Sequence, residues 1–212
     1  MYWAEFFTIV IAHLFAVTSP GPDFAVVMRQ SVRFGARSGI WTSLGVGSAI
    51  LLHVSYCLLG VAFLLSQSPA LFNAMKLLAA VYLFYLGVQS IRASFVRPVI
   101  DGDATLEPAL SAARAFGLGF VTNGLNPKAT LFFLALFTAV IDPNTPTTIQ
   151  VIYGLYLAGA TFLWFAFLSL ILGIPRVRVF ILRMGTWFER AMGAVLILIS
   201  LQLALNGVYI GW

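Results

Sequence analysis

Two charged residues lie inside apolar stretches of the sequence, each next to a proline motif. Asp23 directly follows Ser19-Pro20-Gly21-Pro22, and Lys128 directly follows Asn126-Pro127. Opposite charges of this kind could hold a zwitterion. Lys128 and free N–H groups at a helix N-terminus would bind a carboxylate, while Asp23 and bare carbonyl groups would bind an ammonium. Asp23 could also bind a proton, because burial favours a neutral carboxyl group whereas a nearby ammonium favours the ionised form.

The proline motifs are expected to interrupt helices, because proline lacks the main-chain donor that a helix interior needs. In a membrane, such breaks survive only where they are buried in protein or line a cavity. A charge at the bilayer centre costs at least about 2.5–3.5 kcal/mol on insertion scales, so both charged residues indicate a buried role. The alternative is an ion pair that only locks two parts of the chain together. The predicted break positions are Ser19, Pro20, Gly21, Pro22 and Pro127.

Other polar residues in apolar stretches are secondary candidates. Asn123 and Asn126 flank the second break, where an Asn side chain can cap free backbone groups or contact a ligand. His13 and His53 could form hydrogen bonds between helices, relay protons or contact a ligand. Cys57 is the only cysteine, which excludes a dithiol redox centre and a multi-thiolate metal site. We predict no metal and no cofactor.

The composition is that of an integral membrane protein. Apolar residues make up 61% of the 212 residues, charged residues 9%, and the mean hydropathy is +0.98. Soluble domains carry about 25% charged residues. The net charge of +5 is spread over loops rather than gathered in a basic stripe, so no nucleic acid partner is expected. The N-terminus lacks the basic region and cleavage site of a signal peptide, so we expect the first segment to remain as a helix.

Hydropathy predicts six membrane-spanning helices, over residues 4–28, 39–65, 70–92, 115–140, 149–173 and 187–207. The loops on one side carry no Lys or Arg, over residues 66–69 and 142–146. By the positive-inside rule the arginine-containing loops are cytoplasmic, and both termini lie outside. Those loops contain Arg29, Arg33, Arg37, Arg92, Arg97, Arg114, Arg176, Arg178, Arg183 and Arg190.

The predicted fold is all-α, with two inverted three-helix repeats. A polar linker at residues 94–114 separates a first repeat, 1–93, from a second, 115–212. Because three spans are an odd number, the repeats must lie with opposite orientations in the membrane. The broken helices 1 and 4 then correspond, and Pro20 and Pro127 are 107 residues apart (127 − 20). Whether one chain suffices or a homo-oligomer forms stays open.

Three motifs resemble those of the lysine exporter/homoserine–threonine resistance (LysE/RhtB) family. They are Ser19-Pro20-Gly21-Pro22-Asp23-Phe24, residues 33–39 and residues 120–129. The resemblance extends over essentially the whole chain. It implies a secondary exporter of amino acids or their derivatives in the bacterial inner membrane, coupled to protons, with signatures at residues 19–23 and 126–128. It does not identify the substrate. Asp23 after the second proline is closer to the neutral-amino-acid branch, although an acidic residue could equally attract a cation.

Two other classes of protein compete with an exporter. A membrane-embedded enzyme would need a metal-ligand cluster, paired carboxylates or a nucleophile beside a histidine, and the sequence offers none of these at membrane depth. A channel or scaffold would not need opposite charges at two matching breaks. We therefore predict a transporter rather than an enzyme, with a small-molecule substrate, protons and the lipid bilayer as its partners.

Overall fold

The computed structural model describes residues 2–67, 69–95, 108–142, 144–172 and 174–208. All regular secondary structure in these ranges is helical. Most of the predicted 94–114 linker, including Arg97, and residues 209–212 lie outside the described residues. The helices are α1 (Trp3–Thr18), α2 (Pro22–Phe34), α3 (Ala36–Gln67), α4 (Pro69–Ala93), α5 (Ala112–Gly124), α6 (Pro127–Ala135), α7 (Thr147–Ile171) and α8 (Pro175–Val208); a π-helical turn at Leu136–Val140 continues α6.

Several described helices are suited to a lipid environment. Within the described ranges, Ala36–Gly60 and Thr147–Ile171 are each long and apolar enough to cross a membrane, and α1 with α2 passes the same test as one bent pair. Large apolar side chains also lie exposed on helix surfaces, including Leu59 at 75% and Leu198 at 66% exposure. A soluble monomer rarely exposes apolar patches of this extent. The chain is therefore a multi-pass membrane protein.

The first proline motif separates α1 from α2, whose axes differ by 53°. The amide of Ser19 makes the last bond of α1, to Phe15 O at 3.2 Å. Pro20 has no N–H with which to continue the helix. Gly21 is fully extended, and Pro22 then occupies the first position of α2, where its missing donor costs nothing. On α8, a Cβ at Gly185 would lie only 2.9 Å from Pro20 Cγ, so α8 packs closely against the break.

The second proline motif separates α5 from α6. The helix α5 ends at Gly124, and Asn126 caps α6 by accepting a hydrogen bond from the Lys128 main-chain amide at 3.0 Å. Pro127 occupies the first position of α6. Asn126 is the type of residue that favours a helix N-cap. The cap fixes the direction in which α6, and hence Lys128, leaves the break.

Glycines allow close packing of α4 with α8. A Cβ at Gly87 would lie 2.7 Å from Ile197 Cγ1 and 2.8 Å from Gly193 O. Conversely, a Cβ at Gly193 would lie 2.5 Å from Ile91 Cγ1 and 2.6 Å from Gly87 O. Because an earlier residue of α4 meets a later residue of α8 and vice versa, the two helices are antiparallel. Small residues permit such backbone contact in membrane proteins.

The helices α3 and α7 also cross antiparallel at glycines. A Cβ at Gly47 would lie 2.9 Å from Ala158 O, and one at Gly154 would lie 2.5 Å from Val54 Cγ1. In contrast, α1 runs parallel to α7: Phe6 stacks on Tyr153, and His13 contacts Thr161 further along both helices. These directions agree with strict alternation of helices through a membrane.

Glu5 links α1 to the segment before α7. Its Oε1 accepts hydrogen bonds from the Asp142 amide at 2.9 Å and from Thr145 Oγ1 at 2.9 Å. Its Oε2 accepts from the Tyr153 hydroxyl at 3.2 Å. Nothing in the sequence pattern pointed to this role, because Glu5 stands alone at the start of an apolar helix. The contacts hold the end of α1 that is distant from the proline break.

The helix α8 differs most from its predicted bounds. It begins at Pro175 rather than near residue 187 and contains 34 residues. At 1.5 Å per residue it is about 51 Å long, which exceeds the roughly 30 Å hydrocarbon core. Hydropathy detected only its apolar part, because arginines occupy its first turns. Proline at the first helical position marks the true start.

Candidate functional site

The two helix breaks open onto one cavity of about 540 Å³, a volume that includes its mouth. Its wall contains the first break, both Asn123 and Asn126 of the second, and Lys128 from the start of α6. Side chains from α1, α3, α7 and α8 complete the lining. The fold thus brings together residues from positions 13 to 192 around the two proline motifs.

Asp23 accepts hydrogen bonds from both asparagines of the second break. Its Oδ2 lies 3.0 Å from Asn123 Nδ2 and 3.1 Å from Asn126 Nδ2. Its other oxygen, Oδ1, is buried and has no partner among the described residues. The buried Oδ1 of Asn123 likewise has none. Buried polar atoms normally have partners, so two unpaired acceptors side by side indicate a place for a donor.

Lys128 lies on the same cavity but does not pair with Asp23. Its Nζ donates a hydrogen bond to Ser19 Oγ at 3.2 Å. Among the described residues, its Nζ and the Asp23 carboxylate do not approach within 4.0 Å, the limit for an ion pair. A Cβ at Gly21 would lie 3.4 Å from Nζ, so glycine leaves the extended main chain of the break open beside the ammonium. A direct ion-pair lock is therefore absent from this arrangement.

His53 supports the second break from α3. Its Nε2 lies 3.0 Å from the main-chain carbonyl oxygen of Asn123. Since a carbonyl can only accept, Nε2 must carry the proton, and Nδ1 then accepts from the Tyr56 hydroxyl. The ring stacks on Phe133 with 5.4 Å between centroids. His53 thus adds a second hydrogen bond to a carbonyl that also accepts from the Asn126 amide at 2.9 Å, but it does not line the cavity.

His13 lines the cavity from α1. Its Nε2 lies 2.8 Å from Thr161 Oγ1 on α7, and both side chains are buried. Thr161 was not among the sequence-based candidates, because a single hydroxyl in an apolar helix is a weak signal. The hydroxyl of Ser19 was also missed as a Lys128 acceptor, since its motif predicted only a helix break.

The described residues contain no group of three His, Cys, Asp or Glu side chains that could hold a metal ion. Cys57 is buried in α3, and it is not one of the cavity-lining residues. The polar side chains of the cavity wall are a carboxylate, an ammonium, two amides, the Ser19 hydroxyl and an imidazole–hydroxyl pair. Such a set can bind opposite charges at two separate places.

Sequence comparisons relate the chain to known membrane proteins. The chain is 25% identical to the threonine efflux protein of Escherichia coli (strain K12), over 90% of this chain and 92% of the relative. It is 34% identical to the leucine efflux protein of Salmonella typhimurium (strain LT2), over 69% of this chain and 66% of the relative. It is 30% identical to the uncharacterized membrane protein YahN of E. coli K12, over 92% and 87%. No solved structure matches. Residues 14–207 match the LysE type translocators, and the chain belongs to this family.

Proposed function

We propose that this protein exports amino acids across the bacterial inner membrane, with the zwitterion bound between Asp23 and Lys128. The observation that carries the proposal is that these two opposite charges face one cavity without pairing to each other. An unpaired charge away from water is costly, so each needs a partner. An amino acid supplies both partners in one molecule. The relatives named as threonine and leucine efflux proteins support this choice.

The ammonium of the substrate would bind at the acceptor side of the cavity. Oδ1 of Asp23 and Oδ1 of Asn123 are the two acceptors without partners there. The two hydrogen bonds to Asp23 Oδ2 orient the carboxylate, leaving its other oxygen for the ligand. A charge-assisted hydrogen bond between ammonium and carboxylate is about twice as strong as a neutral one.

The carboxylate of the substrate would bind at Lys128 and the start of α2. Lys128 Nζ has three protons and one hydrogen bond to a described residue, Ser19. Gly21 is the N-cap of α2 and supplies no side-chain cap to the first turn. The main-chain N–H groups of Asp23 and Phe24 then lie at the positive end of a helix dipole. Together these donors suit an anion.

The buried Oδ1 of Asp23, which has no partner among the described residues, supports proton coupling. A proton and a substrate ammonium would compete for Oδ1, because either one satisfies it. The carrier could then return to the cytoplasmic side with a proton in place of the substrate. This exchange would couple export to proton entry.

We also propose two inverted repeats, with residues 1–93 and 115–212 as the units and both termini outside. The contacts of the glycines support the repeats. Gly87 and Ile91 precede Gly193 and Ile197 by the same spacing of 106 (193 − 87 and 197 − 91), and each glycine faces the isoleucine of the other helix. Gly47 and Gly154 are similarly separated by 107 residues (154 − 47), as are Pro20 and Pro127. Reciprocal contacts between equivalent residues are what a two-fold axis between two three-span halves would produce.

Proteoliposomes test the proposed function directly. Vesicles loaded with a mixture of labelled amino acids should release at least one of them when an inward proton gradient is imposed. Asp23→Asn should reduce this efflux at least tenfold at equal protein incorporation. Asp142→Asn is the matched control, since Asp142 is exposed in the loop before α7, and it should retain efflux. Efflux that is unchanged in Asp23→Asn would refute the proposed site.

A further inference from the structure

The cavity wall contains one negative and one positive side chain. Among the described residues that line it, the charged groups are Asp23 and Lys128, and the only other ionisable group is His13. The next acidic group is Glu189 on α8, which interacts with Lys128 at longer range but does not line the cavity. The wall therefore offers one counter-charge for an ammonium and one for a carboxylate.

A third charge on the substrate would have no partner in this cavity. An α-amino acid brings one ammonium and one carboxylate, which the wall matches one to one. A lysine or glutamate side chain would add a charge that must give up water without compensation, and this is strongly unfavourable. The charge inventory thus selects against both basic and acidic side chains.

The rest of the wall is mostly apolar. It includes Ile50 of α3, Phe132 and Phe133 of α6, Phe165 of α7 and Met192 of α8, each of them buried. Met is a flexible side chain that adapts to ligand shape. In an apolar pocket one methylene group changes binding about 10- to 200-fold. This part of the cavity suits an aliphatic or thioether side chain.

One polar pair, His13 and Thr161, interrupts this apolar wall. His13 Nε2 and Thr161 Oγ1 bond to each other at 2.8 Å, which joins α1 to α7. The pair is thus engaged between two helices, and apolar side chains form most of the surface that a substrate side chain would meet.

From this charge balance and lining we infer that the transported molecule is a neutral amino acid with an apolar side chain, such as leucine or methionine. The inference rests on the proposed function and specifies the substrate class of the same site.

Competition among substrates tests the inference. Proteoliposomes are loaded with equal concentrations of leucine, methionine, threonine, lysine and glutamate, and efflux of each is followed by mass spectrometry. Leucine or methionine should leave at least tenfold faster than lysine or glutamate, and faster than threonine. Faster efflux of lysine, glutamate or threonine would overturn the inference while leaving export itself intact. No efflux of any amino acid would refute the proposed function, and the inference with it.

A charge added to the apolar wall gives a second test. Met192→Glu places a carboxylate where the substrate side chain is expected, and Met192→Gln adds the same bulk without charge. The ratio of lysine to leucine efflux should rise at least tenfold in Met192→Glu and stay near that of the unmodified protein in Met192→Gln. Equal ratios in the two variants would show that the substrate side chain does not reach this wall. If Met192→Glu does not fold, the competition among substrates in the unmodified protein still decides the inference.

Discussion

Asn123 Nδ2 donates a hydrogen bond to Asp23 Oδ2 across 3.0 Å, although the two residues are 100 positions apart in the chain. The bond joins the end of α5 to the start of α2. It therefore joins the second helix break to the first at the wall of the cavity. On α3, His53 Nε2 donates a hydrogen bond to the main-chain carbonyl of the same Asn123.

Removing the Asn123 side chain should weaken transport. A hydrogen bond to a charged group contributes about 1.5–3 kcal/mol, which corresponds to roughly 10- to 100-fold in affinity. We expect Asn123→Ala to lower efflux by that order in proteoliposomes. Asn144→Ala is the control, because the Asn144 side chain lies in the exposed loop and bonds to Asp142 there. Equal efflux from the two variants would contradict a role for the Asn123 amide.

Lys128→Met should lower the affinity of the protein for its substrate. The variant keeps most of the side-chain volume but removes the charge proposed to bind the carboxylate. We expect KM for leucine to rise about 10- to 100-fold, by the same conversion of a charged hydrogen bond. Lys128→Arg keeps the charge and should give a smaller increase. The decarboxylated amine of leucine should inhibit Lys128→Met as well as it inhibits the unmodified protein; weaker inhibition of Lys128→Met would argue against carboxylate binding at this residue.

Alanine at the α4–α8 crossing should destabilise the fold. A Cβ at Gly87 or Gly193 would meet opposing backbone oxygen at 2.8 Å or 2.6 Å, and overpacking of this kind costs about 1–3 kcal/mol. We expect Gly87→Ala and Gly193→Ala to lower the melting temperature in detergent. Gly159→Ala serves as the control, since a Cβ there meets no atom within 4 Å. If Gly159→Ala lowers the melting temperature as much, the effect would come from the loss of glycine itself and not from overpacking at the crossing.

Glu5→Ala should loosen α1. The variant removes the acceptors for the Asp142 amide, Thr145 and Tyr153. We expect faster hydrogen exchange of α1 amides, with exchange in α3 unchanged. Thr8→Ala is the control, because the Thr8 hydroxyl is exposed and bonds within its own helix, to Ala4 O. Unchanged exchange in Glu5→Ala would mean that aromatic packing and the His13–Thr161 bond suffice to hold α1 on α7.

The sequence was sufficient to predict the membrane class, the family and the residue types at the two breaks, because composition and proline chemistry are local properties. It was not sufficient to predict which side chains meet. Asp23 was expected near Lys128, yet its hydrogen bonds come from Asn123 and Asn126. Lys128 instead donates to Ser19. These partners depend on the angle at which each broken helix restarts, which no periodicity encodes.

The start of α8 also differs between the prediction from hydropathy and the structure. Hydropathy marks where a helix contacts lipid, whereas Pro175 and helical hydrogen bonding mark where it begins. The arginines in its first turns lowered the hydropathy without ending the helix. The roles of Thr161 and Glu5 could not be predicted for a different reason. Each residue forms its hydrogen bond with a partner more than 130 residues away in the chain.

The single unpaired oxygen of Asp23 has an electrical consequence. If one proton enters for each neutral zwitterion that leaves, every cycle moves one positive charge inward. A membrane potential of about 100 mV, negative inside, would then add about 2.3 kcal/mol per molecule exported, or roughly a 50-fold concentration ratio. Export from vesicles should therefore speed up when valinomycin and potassium make their interior negative, even without a pH gradient. The membrane potential would thus increase the ratio of external to internal amino acid that export can reach.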